Sequence, residues 1–180
     1  MIEFRNVSKV YEDTQTKALS DLNIKIDNPA QLGSDLVVDA VAGIKYYGAP
    51  LIVIDMGTAT TVSVIDRDEN YTGTLIIPGM RTSLDALVSG AAQLPKVKLD
   101  PPKRVVGKNT SESMANGIMY YTAAGLDGCI ERIEEEMGEK CTVVATGGLA
   151  KEIVACCEKE IIYNKDLVLQ GLLIIYKKNR

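Results

Sequence analysis

The stretch LIVIDMGTATT, residues 51–61, starts as an apolar run suited to a buried strand and ends in Gly and Thr behind a single acid, Asp55. A tight Gly turn lets backbone N–H groups approach an anion, Thr hydroxyls add donors, and an Asp can hold a cation, so the stretch reads as a phosphate site. The competing reading is a hairpin turn in a core sheet. Outward from it, TTVSVIDR alternates, DEN supplies a turn, and YTGTLIIPG is a second apolar stretch closed by Pro-Gly, which predicts three sequential strands.

Further along, Thr82 opens TSLDALVSGAAQL with Asp85 three residues on as in a capping box, and Pro95 stops it. A Pro-rich, basic connector follows. From Thr110 to about Met137, apolar residues at steps of three and four (Met114, Ile118, Tyr121, Gly125, Cys129, Ile133, Met137) predict one long helix with a single stripe. CTVVAT is then a strand, GGLAKEIVACC begins a helix, EIIY is a short strand and DLVLQGLLIIYKK a closing helix. Upstream, residues 33–47 read as a helix with Val37, Val41 and Ile44 on one face, packed onto the lobe rather than part of it. Asp39 reads as a solvated face residue, as does the run Glu134 to Glu136. The first 26 residues read as a β-hairpin whose second strand alternates Leu22, Ile24 and Ile26. The expectation is an α/β fold: a three-strand meander, then alternating helices and strands, with an N-terminal hairpin and helix.

Composition narrows the function classes. A chain of 180 residues can bury a core without staples, and its net charge of −4 offers no electrostatic footprint for nucleic acid. Its four cysteines, Cys129, Cys141, Cys156 and Cys157, show no C-x-x-C spacing, and with no His a zinc site or His-based triad lacks its usual parts. Reduced thiols in a soluble, cytoplasmic protein are expected, with neither membrane span nor secretory leader.

Taken singly, the polar motifs stay ambiguous. Ser34-Asp35 before an apolar run suits a helix start, Thr110 suits a first helical residue, and Gly147-Gly148 suits a tight strand-to-helix turn. Their order is more specific. DNPAQLGSD, VIDMGTATT, IIPG with SLDAL, LP with GKNT, ATGGLA and LQGL, in that sequence from Asp27 onward, resemble the type III pantothenate kinases. The resemblance implies a ribonuclease H-like lobe of the actin, Hsp70 and sugar kinase superfamily, and a phosphotransferase moving the γ-phosphoryl of ATP to the primary hydroxyl of pantothenate, the first step of coenzyme A biosynthesis. It implies Asp35 as general base, Gly33, Ser34, Leu36 and Thr110 at the pantothenate, and Asp55 on a monovalent cation, potassium or ammonium. Gly57, Thr58, Thr146, Gly147 and Gly148 would line the ATP, with Mg²⁺ as its companion. A cytoplasmic homodimer with substrate at the subunit interface is implied too.

The chain departs from that pattern in three places. Leu36 stands where the family usually has Arg, and Thr74 where it usually has a second Gly. The family's first phosphate loop, D-x-G-N-T, has no counterpart in these 180 residues. Instead MIEFRNVSKVY and ALSDLNIKI resemble the opening strands of an ATP-binding cassette transporter ATPase, without the G-x-x-x-x-G-K-[ST] that would follow there. The domain reading is therefore a cassette-like hairpin at 1–26, a connecting segment with the catalytic Asp at 27–50, and the C-terminal kinase lobe at 51–180. The alternative to an active kinase is a truncated or chimeric remnant that dimerises or binds ligand without turnover.

Overall fold

The computed structural model describes residues 22–28, 31–91 and 93–178. Six strands form one mixed sheet: β1 (Asn23–Ile24), β2 (Leu51–Met56), β3 (Ala59–Ile65), β4 (Asn70–Pro78), β5 (Thr142–Thr146) and β6 (Ile162–Tyr163), in the spatial order β1-β4-β3-β2-β5-β6. β2, β3 and β4 are the expected antiparallel meander, and β5 and β6 add in parallel beyond β2. Strand β2 is covered on both faces, which is why it reads as a continuous apolar run rather than an alternation.

Each face of the sheet has its own core. Ile52, Ile54, Met56, Val62, Val143 and Ala145 point toward α2 (Met80–Gly90), α3 (Thr110–Met137) and α4 (Ala150–Val154). Leu51, Val53, Ile65, Tyr71 and Val144 point toward α1 (Ser34–Tyr47) and α5 (Leu167–Lys178). Thus α1 is an integral layer of the lobe, not an accessory packed outside it. It antiparallels β2 after a short connection, and lies so close that a Cβ on Gly43 would fall 2.5 Å from Leu51 Cδ2 and 3.1 Å from Val53 Cγ2.

Several sequence expectations need correction. The second strand of the N-terminal hairpin exists as β1, but pairs in parallel with β4, and Lys25 Nζ reaches Asp66 at 3.4 Å across the β3–β4 turn. The hairpin's first strand lies outside the described residues. Helix α2 begins at Met80, capped by Gly79, and ends at Gly90 before Pro95 is reached. In α3 the buried stripe runs Met114, Ala115, Met119, Ala123, Leu126, Ile130 and Glu134, rotated from the expected one, and Tyr121 is 83% exposed. Ala115 and Ala123 carry part of that stripe, so counting only large apolar residues misplaces it. Glu134 is not solvated: it is buried and accepts hydrogen bonds from Lys140 Nζ at 2.5 Å and Cys141 N at 3.2 Å.

Candidate active site

Where β2 ends, α1 begins, and this crossing gathers the chemistry. Asp35 and Asp39 are one helical turn apart on α1, so they share a face. With Gly43 seated over Leu51 and Val53, one turn back along α1 brings Asp39 toward Asp55, and a second brings Asp35 to the rim. Electrostatics agrees. Burial raises the Asp39 pKa to about 7, with added repulsion from Asp55 and then Asp35; burial, then Asp35, raises that of Asp55. Asp35, Asp39 and Asp55 therefore lie near enough to repel one another at the C-terminal end of a central strand, the usual place for a ligand crevice in open α/β sheets.

Asp39 is the residue that sequence reading missed. It is 1% exposed, not solvated, and neither carboxylate oxygen has a hydrogen-bond partner. The signal lay in its i+4 spacing from Asp35, overlooked because an acid on a helix is ordinarily surface. Asp35 itself is exposed in the first turn, and the α1 N-cap, Gly33, has no side-chain cap hydrogen bond. Capping is thus not the role of Ser34 or Asp35. Gly33 lies against the Asp35 carboxylate, where a Cβ would strike Oδ1. The side chain of Leu36 is buried in the α1-side core with Val37 and Leu51.

The β2–β3 turn holds Gly57 and Thr58, both exposed, with Gly57 N donating to Ala59 O at 3.0 Å. It is fixed from α2. Gly79 N and Thr82 Oγ1 both donate to Thr58 O, at 3.1 and 2.8 Å, and a Cβ on Gly79 would collide with the Gly57 and Thr58 carbonyls at 2.5 Å. Thr82 therefore braces the turn instead of starting its helix. Next to it, Gly147 adopts φ +103° and presses its backbone on Met56, where a Cβ would come 2.5 Å from the carbonyl oxygen. Only glycine fits both demands. Thr146 is buried and pairs with Asp55 in the parallel β2–β5 register, as Thr61 does in the antiparallel β2–β3 register. Gly148 has open space beside its Cα. The result is a glycine-lined floor beside hydroxyls and carboxylates, suited to an anion's close approach on one side and a cation on the other.

Thr110 is not in this crevice. It follows the cap Asn109, whose side chain accepts from Glu112 N at 2.9 Å, and starts α3 on the opposite face of the sheet. There a cleft of about 480 Å³ is lined by Lys96, Lys98, Lys103 and Arg104 together with the acids Asp100 and Glu112. The basic connector thus has a place: it faces the start of α3. The cysteines are free and take no part; burial pushes Cys141 up to about 11 and Cys157 up to about 12, so neither offers a thiolate.

A mixed sheet with helices on both faces and a tight glycine hairpin at its central strand defines an α/β lobe. Solved structures share it. A conserved protein described as a Baf family transcriptional activator from Campylobacter jejuni aligns at TM-score 0.57 and 22% identity, covering 87% of this chain and 68% of that one. The activator of the 2-hydroxyisocaproyl-CoA dehydratase from Clostridium difficile, solved with bound ADPNP, aligns at TM-score 0.50 and 14% identity, covering 79% and 66%. The chain belongs to the type III pantothenate kinase family, whose family model matches residues 3–132. It is 44% identical over 158 residues to a type III pantothenate kinase of Bacillus cytotoxicus, which covers 88% of this chain and 60% of that relative. The chain thus spans about 60% of the length of the curated relative it matches. Among the described residues, no helix is long and apolar enough to cross a membrane.

Proposed function

We propose that the crevice phosphorylates pantothenate to 4'-phosphopantothenate with ATP, the first step of coenzyme A biosynthesis, in the cytoplasm and as a homodimer. The observation carrying this reading is the convergence of Asp35 and Asp55 at the end of β2 beside the Gly57–Thr58 turn, in a chain of this family. Phosphoryl transfer needs positioning and charge stabilisation more than covalent chemistry from the protein. Asp35, exposed at the rim, orients the substrate hydroxyl and accepts its proton on a carboxylate oxygen as the new oxygen–phosphorus bond forms, the bond from the γ-phosphorus to the β–γ bridging oxygen breaks and ADP leaves. Gly57, Thr58, Thr146, Gly147 and Gly148 make a wall that backbone N–H groups and hydroxyls share with the ATP phosphates. Asp55 suits the monovalent cation, potassium or ammonium, and Mg²⁺ accompanies the nucleotide, supplying charge neutralisation when bound. Gly33 and Ser34 border the pantothenate from the start of α1, and Leu36 stabilises that turn from within the core. Thr110 and the basic cleft beside it fit an anionic ligand such as pantothenate, reached across a dimer interface.

A second reading is a ligand-binding or dimerising module without turnover. A phosphopantothenate assay with ATP, Mg²⁺ and K⁺ decides between them. Turnover that falls by a factor of ~10³ or more in Asp35→Asn supports the kinase reading; a folded wild-type chain without turnover supports the module.

A further inference from the structure

The carbonyl of Thr58 accepts two hydrogen bonds from one short stretch of chain, Gly79 N at 3.1 Å and Thr82 Oγ1 at 2.8 Å. Gly79 is the N-cap of α2, and Ser83 N donates back to Gly79 O at 2.8 Å, so both donors sit in a helical turn already closed on itself. The contact has no slack: a Cβ on Gly79 would fall 2.5 Å from Gly57 O and from Thr58 O, and 2.9 Å from Thr58 C. A carbonyl oxygen has two lone pairs, and here both are taken. One donor would let the Thr58–Ala59 peptide swing about a single contact, whereas two fix its plane. Because the peptide is planar and trans, holding its oxygen against α2 turns the Ala59 N–H to the opposite side. Gly57 N is already spent on Ala59 O at 3.0 Å. The direction in which this exposed turn presents its Thr58 and Ala59 amides is therefore set from α2.

Of the two donors only Thr82 is a side chain, and its hydroxyl is not used by its own helix. An exposed threonine in a first helical turn ordinarily bonds nearby backbone or water; this one reaches a carbonyl 24 residues away in sequence. We propose that Thr82 is a positioning residue for the nucleotide phosphates: through Thr58 O it holds the β2–β3 turn so that the Thr58 and Ala59 amides and the Thr58 hydroxyl meet anionic oxygens without rearranging. This rests on reading that turn as the phosphate wall of a phosphoryl-transfer site. A hairpin tip left loose would lose conformational freedom on binding an anion, and the Thr82 bond removes that loss before the ligand arrives.

The test is calorimetric titration of the full chain with ATP and, separately, with inorganic triphosphate, in wild type, Thr82→Val and Thr82→Ser. Valine keeps the shape of threonine and removes only the donor, and Gly79 N still pairs the carbonyl, so the fold is retained. Thr82→Val is expected to bind both ligands about threefold to tenfold more weakly, the effect of one hydrogen bond, and Thr82→Ser to recover the wild-type affinity. The factor should be the same for both ligands, because the lost bond acts on phosphates alone; a general loosening of the lobe would weaken ATP more than triphosphate. In a chain that turns over, the KM for ATP rises by that factor and the KM for pantothenate does not move. Unchanged ATP affinity in Thr82→Val overturns the proposal, as does a Thr82→Ser that fails to recover it, or a wild type that binds neither ligand. If Thr82→Val does not fold, ¹⁵N spectra of wild type must show the Thr58 and Ala59 amides shifting with inorganic triphosphate; resonances that stay in place overturn the proposal. Binding is read without turnover, so an inactive chain can still pass and an active one can still fail.

Discussion

Asp39 turns a single carboxyl group into a pH dependence with a definite sign. Burial lifts its pKa from 3.8 to about 7, so between those values the folded chain holds a proton the unfolded chain has lost. Stability is then greatest below the unfolded value and falls as pH rises toward the folded one, by up to about 4 kcal/mol at ~1.4 kcal/mol per unit. Urea denaturation across this range in EDTA should show the decline in wild type and a flatter profile in Asp39→Asn. Gly147 offers a second test at this scale. At φ +103° and 2.5 Å from the Met56 carbonyl, any side chain strains the β5–α4 turn. Gly147→Ala is expected to lose roughly 1–3 kcal/mol, measured by urea denaturation, and to weaken ATP binding, while Gly148→Ala, with open space beside it, does neither to that extent.

The elements show which signals a sequence carries and which it hides. The β2–β3–β4 meander was legible because β-branched runs ended at Asp-Glu-Asn and Pro-Gly turns, and α3 because apolar residues recur at steps of three and four from Thr110. Motif order alone singled out Asp35 and Asp55 as candidates, and the fold brings the two near each other. What escaped was rotation. The face α3 buries includes small residues, so Ala115 and Ala123 go inward while Tyr121 goes out. Glu134 escaped for the same reason: it sits on the buried face and pins the turn into β5 through Lys140 and Cys141. Burial acts to raise its pKa, but those hydrogen bonds and the Lys140 charge outweigh it and hold it below the usual range. Its stabilisation is present above the ordinary carboxylate pKa and disappears as pH falls through the depressed value. Glu134→Ala should therefore lose about 1–3 kcal/mol near neutrality, with a smaller difference from wild type in acid, as denaturation curves at two pH values would reveal.

At the scale of the molecule, β1 ties the first described residues into the core: Leu22 and Ile24 are 3% and 5% exposed and join α1 and Tyr71 in one cluster. Ile24→Ala should cost about 2–4 kcal/mol in the unfolding of the entire lobe; a second, separate transition in the melting curve would instead mark an independent N-terminal unit. Within the layer that α1 shares with α5, the two helices meet closely. Gly171 rests directly on the α1 backbone, where a Cβ would fall upon the Val38 carbonyl oxygen and 2.7 Å from Val38 Cγ1. Val38 stands immediately before Asp39 and three residues after Asp35. Position 171 is thereby a remote height adjustment for the acids: bulk added there lifts α1 like a shim, moving both carboxylates while touching neither substrate nor nucleotide. Residues 38 and 171 should consequently drift as a pair, a larger side chain at one being tolerated only when the other gives way.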